Sequence, residues 1–451
     1  MATIAVAAVL HLHSGYGSPP PFPDEMEFGV PALSFSHAHG FDATALGAPS
    51  GIYWMPDGWY AIEGAWFAIA GRNLDAARWL AFLLSLTTAW LVLSFLRRAG
   101  VPSRIAAVAS CVFALAPLTV LMGNVARMEG AICAMTLAAA ILCVRGRWLG
   151  AVSLLALAGL LHFAAFGLAI ALAVGLVVVH RELRRPRRWE WLVAGATVAL
   201  IAGQALLWRS HLGLVHADLR FQLERKRHEA WRHSPELALM LVVGWMLMRA
   251  WTRRRREPWC VPVACLAGGL VLVSALGHEQ WYRIYGFEIA PVLLVGVGVA
   301  NGALGFLRSR WAFAVGCAAA PTAIAVSLVA HPFHSVPSSS AHRQWDRGVT
   351  ALEAALRTAS RSGNVRRLDI DPLSGVTLNL LTRPHPGLDI VQPVPVRTVP
   401  AQPTDLILVQ SVRTPTTLPY GAYLTDRALV FTSVTLGPEG YRFYLYGPSR
   451  T

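Results

Sequence analysis

Three carboxylates fall within four residues at Asp24-Glu25-Met26-Glu27, directly behind Pro23. A carboxylate in that position can take a proton from an attacking hydroxyl or amine, or serve as a hard ligand for a divalent cation. The plainer alternative is a wet acidic loop. Arg127-Met128-Glu129 sets a guanidinium two residues from another carboxylate. That turn is either a second acid facing the first across a cavity or a local ion pair at a helix start, where an acidic residue suits the macrodipole. His278 to Tyr285 ends in Arg283-Ile284-Tyr285, a lone cation beside an aromatic belt. It reads as an interfacial anchor or as a grip for a lipid phosphate. A basic stretch from Arg209 to Ser234 adds Arg209, Arg220, Arg225, Lys226, Arg227 and Arg232. It suits an amphipathic helix on anionic head groups, with one or two cations reserved for a phosphate. His11, His13, His37 and His39 carry His-x-His spacing near the acids, without a complete ligand set.

The elements that must position these residues are apolar. Of 451 residues, 55% are hydrophobic and only 14% charged, and the mean hydropathy is +0.48. A soluble domain carries nearer a quarter charged residues, so the solvent is lipid. The net charge of +14 comes almost wholly from arginine, Lys226 being the single lysine. The arginines fall in short bursts between apolar runs and no nucleic-acid module is readable, so nucleic acid is not an expected partner. The six cysteines lie in apolar runs or at their edges, as small core residues rather than disulfide or metal partners.

Five clusters, Arg97/Arg98/Arg104, Arg145/Arg147, Arg181 to Arg188, Arg253 to Arg256 and Arg308/Arg310, belong in the cytoplasm by the positive-inside rule. Neighbouring clusters are then joined by even numbers of spans. Ile105–Gly123 pairs with Ala131–Val144, Leu192–Trp208 with Leu237–Ala250, and Val261–Leu276 with Phe287–Leu307. The 32 residues Trp148–Val179 hold one ionisable group, His162. As one helix they would reach about 48 Å, against a core of about 30 Å, so two short spans turning near His162–Phe163 are expected. Thr3–Leu12 is too short to cross and lacks a basic start and a cleavage site, which argues against a signal peptide; the sequence is expected to begin inside a first span. Trp311–Ala330 is the last span expected.

The composition shifts after about His331. A Pro/Ser linker, Pro332 to Ser340, precedes a helical pattern at Trp345–Ala359 and β-like runs at Leu368–Ile370, Leu406–Val409, Leu429–Thr432 and Tyr441–Tyr446. The expected architecture is an all-α polytopic membrane protein of about eleven transmembrane helices over residues 1–330, with a first outer loop at about 15–75. A small α/β domain, residues 331–451, follows on the extracytoplasmic side.

The motifs have an order. The Asp24-Glu25 pair comes first, then Tyr53-Trp54-Met55-Pro56-Asp57-Gly58-Trp59-Tyr60, then Gly71-Arg72-Asn73-Leu74-Asp75-Ala76-Ala77-Arg78 entering a span. Arg127-Met128-Glu129 follows, and Arg283-Ile284-Tyr285 with Pro291 closes the series. This order resembles the GT-C glycosyltransferases, in particular the protein mannosyltransferase and aminoarabinose transferase-like branch, whose members take a sugar from a polyprenyl phosphate. It covers roughly residues 15–300. The resemblance implies that Asp24 is the first-loop catalytic acid, Glu25 its partner and Glu129 the second-loop acid. Arg283 stands near the lipid-phosphate grip, and Arg127, Tyr285, Tyr60 and Arg225 are the further substrate-binding candidates. The sequence departs from the family in its short first apolar stretch, in the third acid Glu27, and in lacking a compact Pro-Leu-Tyr within Tyr53–Tyr60.

No nucleotide-binding signature is present, so a donor on the outer face would be lipid-linked. The expected function is a membrane glycosyltransferase in a bacterial plasma membrane. It would move a hexosyl or pentosyl group from a polyprenyl-phosphate donor to a lipid, glycan or protein acceptor, with Asp24 as general base and, as the resemblance implies, with inversion. No cofactor is required by the residues; a divalent cation is the one the carboxylates could hold. Two other classes stay open. A transporter or lipid flippase calls for ionisable residues deep within spans and for repeated halves; His162 is the main polar residue seen at depth, and no repeat is visible. A membrane scaffold presenting its tail as a binding domain would leave the outer carboxylates lining no cavity.

Overall fold

The computed structural model describes residues 23–37, 55–183, 185–209, 234–277, 282–308, 339–361, 367–371, 374–382, 388, 390–393, 406–411, 424, 427–436 and 441–447. Thr3–Leu12, His11, His13, His39, Arg225 with the rest of 210–233 in the basic loop, His278 to Trp281 and the last expected span Trp311–Ala330 lie outside the described residues.

Two helices occupy the expected first outer loop: α1 (Pro23–Ser36) and α2 (Gly58–Ala70). Pro23 opens α1, where its missing N–H is no loss, and Asp24 and Glu25 fill the first turn, where the macrodipole favours anions. Then follow α3 (Leu74–Arg98), α4 (Ser103–Leu115), α5 (Pro117–Asn124), α6 (Glu129–Val144), α7 (Trp148–Ala158) and α8 (Ala164–Val178). The helical part continues with α9 (Arg188–Trp208), α10 (Ser234–Thr252), α11 (Cys260–Leu276), a π-helical turn (Tyr285–Ile289) and α12 (Ala290–Ala300). Asn73 caps α3 by accepting from the Ala76 N–H at 2.8 Å.

Among the described residues, Leu74–Arg98 and Arg188–Leu206 are long and apolar enough to cross a membrane alone. Ser103–Leu115 and Leu118–Asn124, bent by 59° at their junction, form a third crossing if taken together. By length alone this is fewer than the eleven or so expected. The physical reason is that five further apolar helices, Glu129–Val144, Trp148–Ala158, Ala164–Val178, Cys260–Leu276 and Tyr285–Ala300, have only 10–17 residues, and two of the long apolar runs are broken. Ile105–Gly123 is split at Ala116–Pro117, where Ala116 is extended and Pro117 restarts the helix. Trp148–Val179 is split at Gly159–Phe163, at the turn expected near His162.

The helices run so that the acidic starts and the arginine ends separate. Helix α3 begins beside Asp75 and ends at Arg97 and Arg98; α6 begins at Glu129 and ends before Arg145. The core of the bundle is rich in small residues that let helices approach, such as Ala139, Ala140, Ala151, Ala158 and Ala165. Helices α9 and α10 instead expose Leu192, Leu200, Leu206 and Leu241. A contiguous apolar face of this kind suits lipid. Exposed Trp189 and Trp251 sit beside arginines, with Arg147 Cζ 5.5 Å from the Trp189 ring and Arg254 Cζ 3.9 Å from that of Trp251. This is the interfacial pairing expected at a membrane surface.

The tail comprises α13 (Ser339–Arg361), β1 (Arg367–Ile370), α14 (Thr377–Thr382), β2 (Ile390–Pro393), β3 (Leu406–Ser411), β4 (Ala428–Thr432) and β5 (Arg442–Gly447). The sheet order is β2-β1-β3-β5-β4. β1 is parallel to β2 and β3, whereas β5 is antiparallel to β3 and β4. Leu352 and Leu356 of α13 bury against Leu368, Ile370, Leu408, Phe443 and Leu445.

The tail touches the outer-loop helices. Leu378 of α14 joins the cluster of Met26, Leu33, Phe67, Leu74 and Ala126. Gly29 of α1 makes room for it, since a Cβ there would stand 2.5 Å from Leu378 Cδ1. The Leu74 N–H also reaches Asn379 Oδ1 at 3.4 Å. The tail, α1 and the start of α3 therefore share one end of the molecule.

Candidate functional site

The first turn of α1 and the loop between α5 and α6 meet at that end. Arg127 donates to Asp24 through Nη1 and to Glu129 through Nη2 at 2.8 Å and Nε at 3.1 Å. One guanidinium thus ties together two carboxylates more than a hundred residues apart in sequence. Its Cζ also lies 5.5 Å from the centroid of the Phe28 ring, a cation–π contact, and Phe28 packs 6.5 Å from the ring of buried Tyr60.

Asp24 and Glu25 are consecutive but differently placed. The Asp24 side chain keeps 30% of its surface open, whereas Glu25 is fully buried. Glu25 accepts from Arg78 Nε at 2.9 Å and Nη2 at 2.7 Å and from the Ala126 N–H at 2.8 Å. This is a bidentate, geometrically specific pair. It fastens α1 to α3 and to the loop that carries Arg127. Arg78 was visible in the sequence only as the last residue of the motif entering a span; nothing there marked it as Glu25's partner.

A second centre adjoins the first. In the α7–α8 turn, His162 Nδ1 accepts from the Ala164 N–H at 3.1 Å. Its proton therefore sits on Nε2, which donates to the Tyr282 hydroxyl at 3.0 Å. The ring centroids are 5.6 Å apart. His162 lies within electrostatic reach of Glu129 and Arg127, and Tyr285 within reach of Glu129, Arg127 and Tyr282. The broken helix pair thus delivers a histidine to the carboxylate cluster. Tyr60, Tyr285, Arg127, Asp24, Glu25 and Glu129 all converge here. Arg283 is exposed on the neighbouring turn, adjacent in sequence to Tyr282, and is not drawn into the cluster. Among the described residues no group of three or more His, Cys, Asp or Glu is gathered as for a metal.

Sequence reasoning missed two further acids. Glu288, second in the expected span Phe287–Leu307, accepts from the Thr119 hydroxyl, so His162 is not the main polar group at depth. Glu63, on the inner face of α2, is fully buried. Burial, with the Glu25 carboxylate beside it, holds the Glu63 carboxyl well above its ordinary value of 4.5, while the Trp59 indole acts the other way. The folded chain therefore keeps a proton that the unfolded chain releases above about pH 4.5, and stability falls as pH rises through that window. Glu63→Gln should raise the unfolding temperature at pH 7–8, and the gain should vanish toward pH 4. Parallel stability profiles for variant and wild type between pH 5 and 8 would show that Glu63 is ionised in the fold.

No family model matches the sequence, and no curated protein matches it. The fold has a counterpart among solved structures. The crystal structure of ArnT from Cupriavidus metallidurans in the apo state superposes with a TM-score of 0.52 at 12% identity, covering 98% of this chain and 97% of that one. ArnT is an aminoarabinose transferase of the GT-C type. The chain shares the fold of that structure over nearly its whole length.

Proposed function

We propose, from the fold this chain shares with ArnT, that it is an integral membrane glycosyltransferase taking a sugar from a polyprenyl-phosphate donor. The observation that carries the reading is the Arg127 cluster: a partly open carboxylate, Asp24, beside an otherwise buried set of acids and guanidiniums at one end of an apolar helical bundle. Transfer from a lipid phosphate needs a base for the acceptor proton and cations for the departing phosphate. Asp24 is the base because it alone of Asp24, Glu25 and Glu129 keeps substantial surface open. Glu25, locked to Arg78, positions it. Arg127 and Glu129 set the charge around it, and Tyr60 and Tyr285 line the substrate side. Exposed Arg283 meets the lipid phosphate, with Arg225 contributing from the basic loop. Attack opposite the leaving phosphate inverts the anomeric carbon.

The arginine ends of the helices lie toward the cytoplasm, so the Asp24 cluster and the tail are extracytoplasmic, in a bacterial plasma membrane. Residues 1–330 form the membrane domain, of about eleven crossings by the positive-inside count, and residues 331–451 the outer domain. The transporter reading draws on ionisable residues at depth. Glu288 is one, but its carboxylate is engaged by α5, as described below.

The test is transfer by purified full-length protein from a panel of polyprenyl-phosphate hexoses and pentoses to lipid and glycan acceptors. Release of free polyprenyl phosphate with one donor is the expected result. Transbilayer movement of a lipid without any sugar transfer would replace this reading with the flippase.

A further inference from the structure

The loop after α5 supplies three contacts of the site: the Ala126 N–H to Glu25, and Arg127 to Asp24 and to Glu129. Helix α5 has only eight residues and starts at the 59° break. Eight residues are too few to be stable on propensity alone, so its place must be fixed from outside.

A break inside an apolar layer strands backbone donors, because lipid offers them no acceptor. Pro117 lacks an N–H, so the first donors are those of Leu118 and Thr119. Both lie close to the Glu288 carboxyl group, and the Thr119 hydroxyl donates to it. Glu288 thus caps α5 from a different part of the chain, as a hydrogen-bond acceptor at its first turn.

Glu288 sits on the π-helical turn Tyr285–Ile289, the same turn that brings Tyr285 near Glu129. One five-residue turn therefore reaches the start of α5 through Glu288 and the start of α6 through Tyr285. The turn itself is seated tightly on α11: a Cβ on Gly286 would lie 2.6 Å from Ser274 Cβ and 2.8 Å from its Oγ. π-Turns inside helices recur at functional sites, and this one joins the Arg283–Tyr285 segment to the Arg127 loop.

We infer that Glu288 is a positioning residue for the transfer reaction, holding α5 so that Arg127 meets both Asp24 and Glu129. This rests on the glycosyltransferase reading. Its chemistry is hydrogen-bond acceptance, not proton transfer, which separates two variants of similar size. In Glu288→Gln the amide oxygen still accepts backbone N–H groups and the Thr119 hydroxyl can reverse to accept from the amide. In Glu288→Met both donors are left unmet.

The experiment combines steady-state kinetics with hydrogen exchange on the full chain in lipid nanodiscs. Glu288→Met is expected to lower kcat at least roughly 10-fold, with donor KM within about two-fold, and to speed exchange over residues 118–127; Glu288→Gln should stay close to wild type in both. In an Arg127→Ala background Glu288→Met should lower kcat no further, whereas independent effects would add. If Glu288→Met does not fold, Thr119→Val removes one bond only and should lower kcat by about three-fold. Equal loss in the Gln and Met variants, unchanged exchange and kcat, or full additivity with Arg127→Ala would overturn the inference. A wild type that transfers no sugar from any donor overturns the glycosyltransferase reading instead, and exchange over residues 118–127 then still reports whether Glu288 holds α5.

Discussion

Asp24→Asn should lower sugar transfer by roughly 10²–10⁴-fold, the range a general base contributes, while leaving the fold unchanged. The substitution is nearly isosteric, and the amide oxygen can still accept from Arg127. Arg127 is not stranded, because Glu129 holds it through Nη2 and Nε. What disappears is the ability to accept the acceptor's proton. The loss should fall on kcat, with donor KM little changed, since the phosphate is gripped elsewhere. Transfer rates from the identified donor, alongside thermal unfolding of the same preparations, separate the two effects. Wild-type turnover in this variant would remove Asp24 from the chemistry.

Glu25→Ala should instead unfold the chain more readily, by about 3–5 kcal/mol, the usual penalty for breaking a buried ion pair from one side. Glu25 has no exposed side-chain surface and Arg78 has 3%. Removing the carboxylate takes two hydrogen bonds from the buried guanidinium and one from the Ala126 N–H together. Replacing both partners by apolar residues should be milder, because no charge is then left unmet. Denaturation in detergent checks both variants; a loss below about 1 kcal/mol for Glu25→Ala would mean that water reaches Arg78. The two neighbouring carboxylates therefore separate by experiment, one through rate and the other through stability.

Sequence made the apolar bundle, the tail strands and the Arg127–Glu129 proximity legible, because each is written locally: long apolar runs, alternating β-like segments, a spacing of two. It also supplied the resemblance with which the ArnT-like fold agrees. It did not reveal α1, whose Gly29 and Pro31 argue against a helix and whose residues are buried on several sides, leaving little periodicity. Strand β2 was hidden by Pro393, which its place at the sheet edge tolerates. The partners of Glu25 and Glu288 were unreadable for a different reason. Arg78 and Thr119 are 53 and 169 residues away, and only the packing of α1 on α3, and of the π-turn on α5, chooses them. The apolar runs predicted as single spans likewise hide their breaks, since a break in lipid becomes stable only when a remote group such as Glu288 satisfies it.

The seat of Leu378 over Gly29 gives the C-terminal domain a say in how the helix bearing Asp24 is held. The helix bearing Asp24 is wedged between two bodies, and its socket belongs to one and its knob to the other. Anyone exchanging outer domains between proteins of this shape would have to move the pair together, since a graft that brings a larger knob, or a recipient whose socket carries a side chain, would tilt the helix and misdirect the carboxylate at its tip.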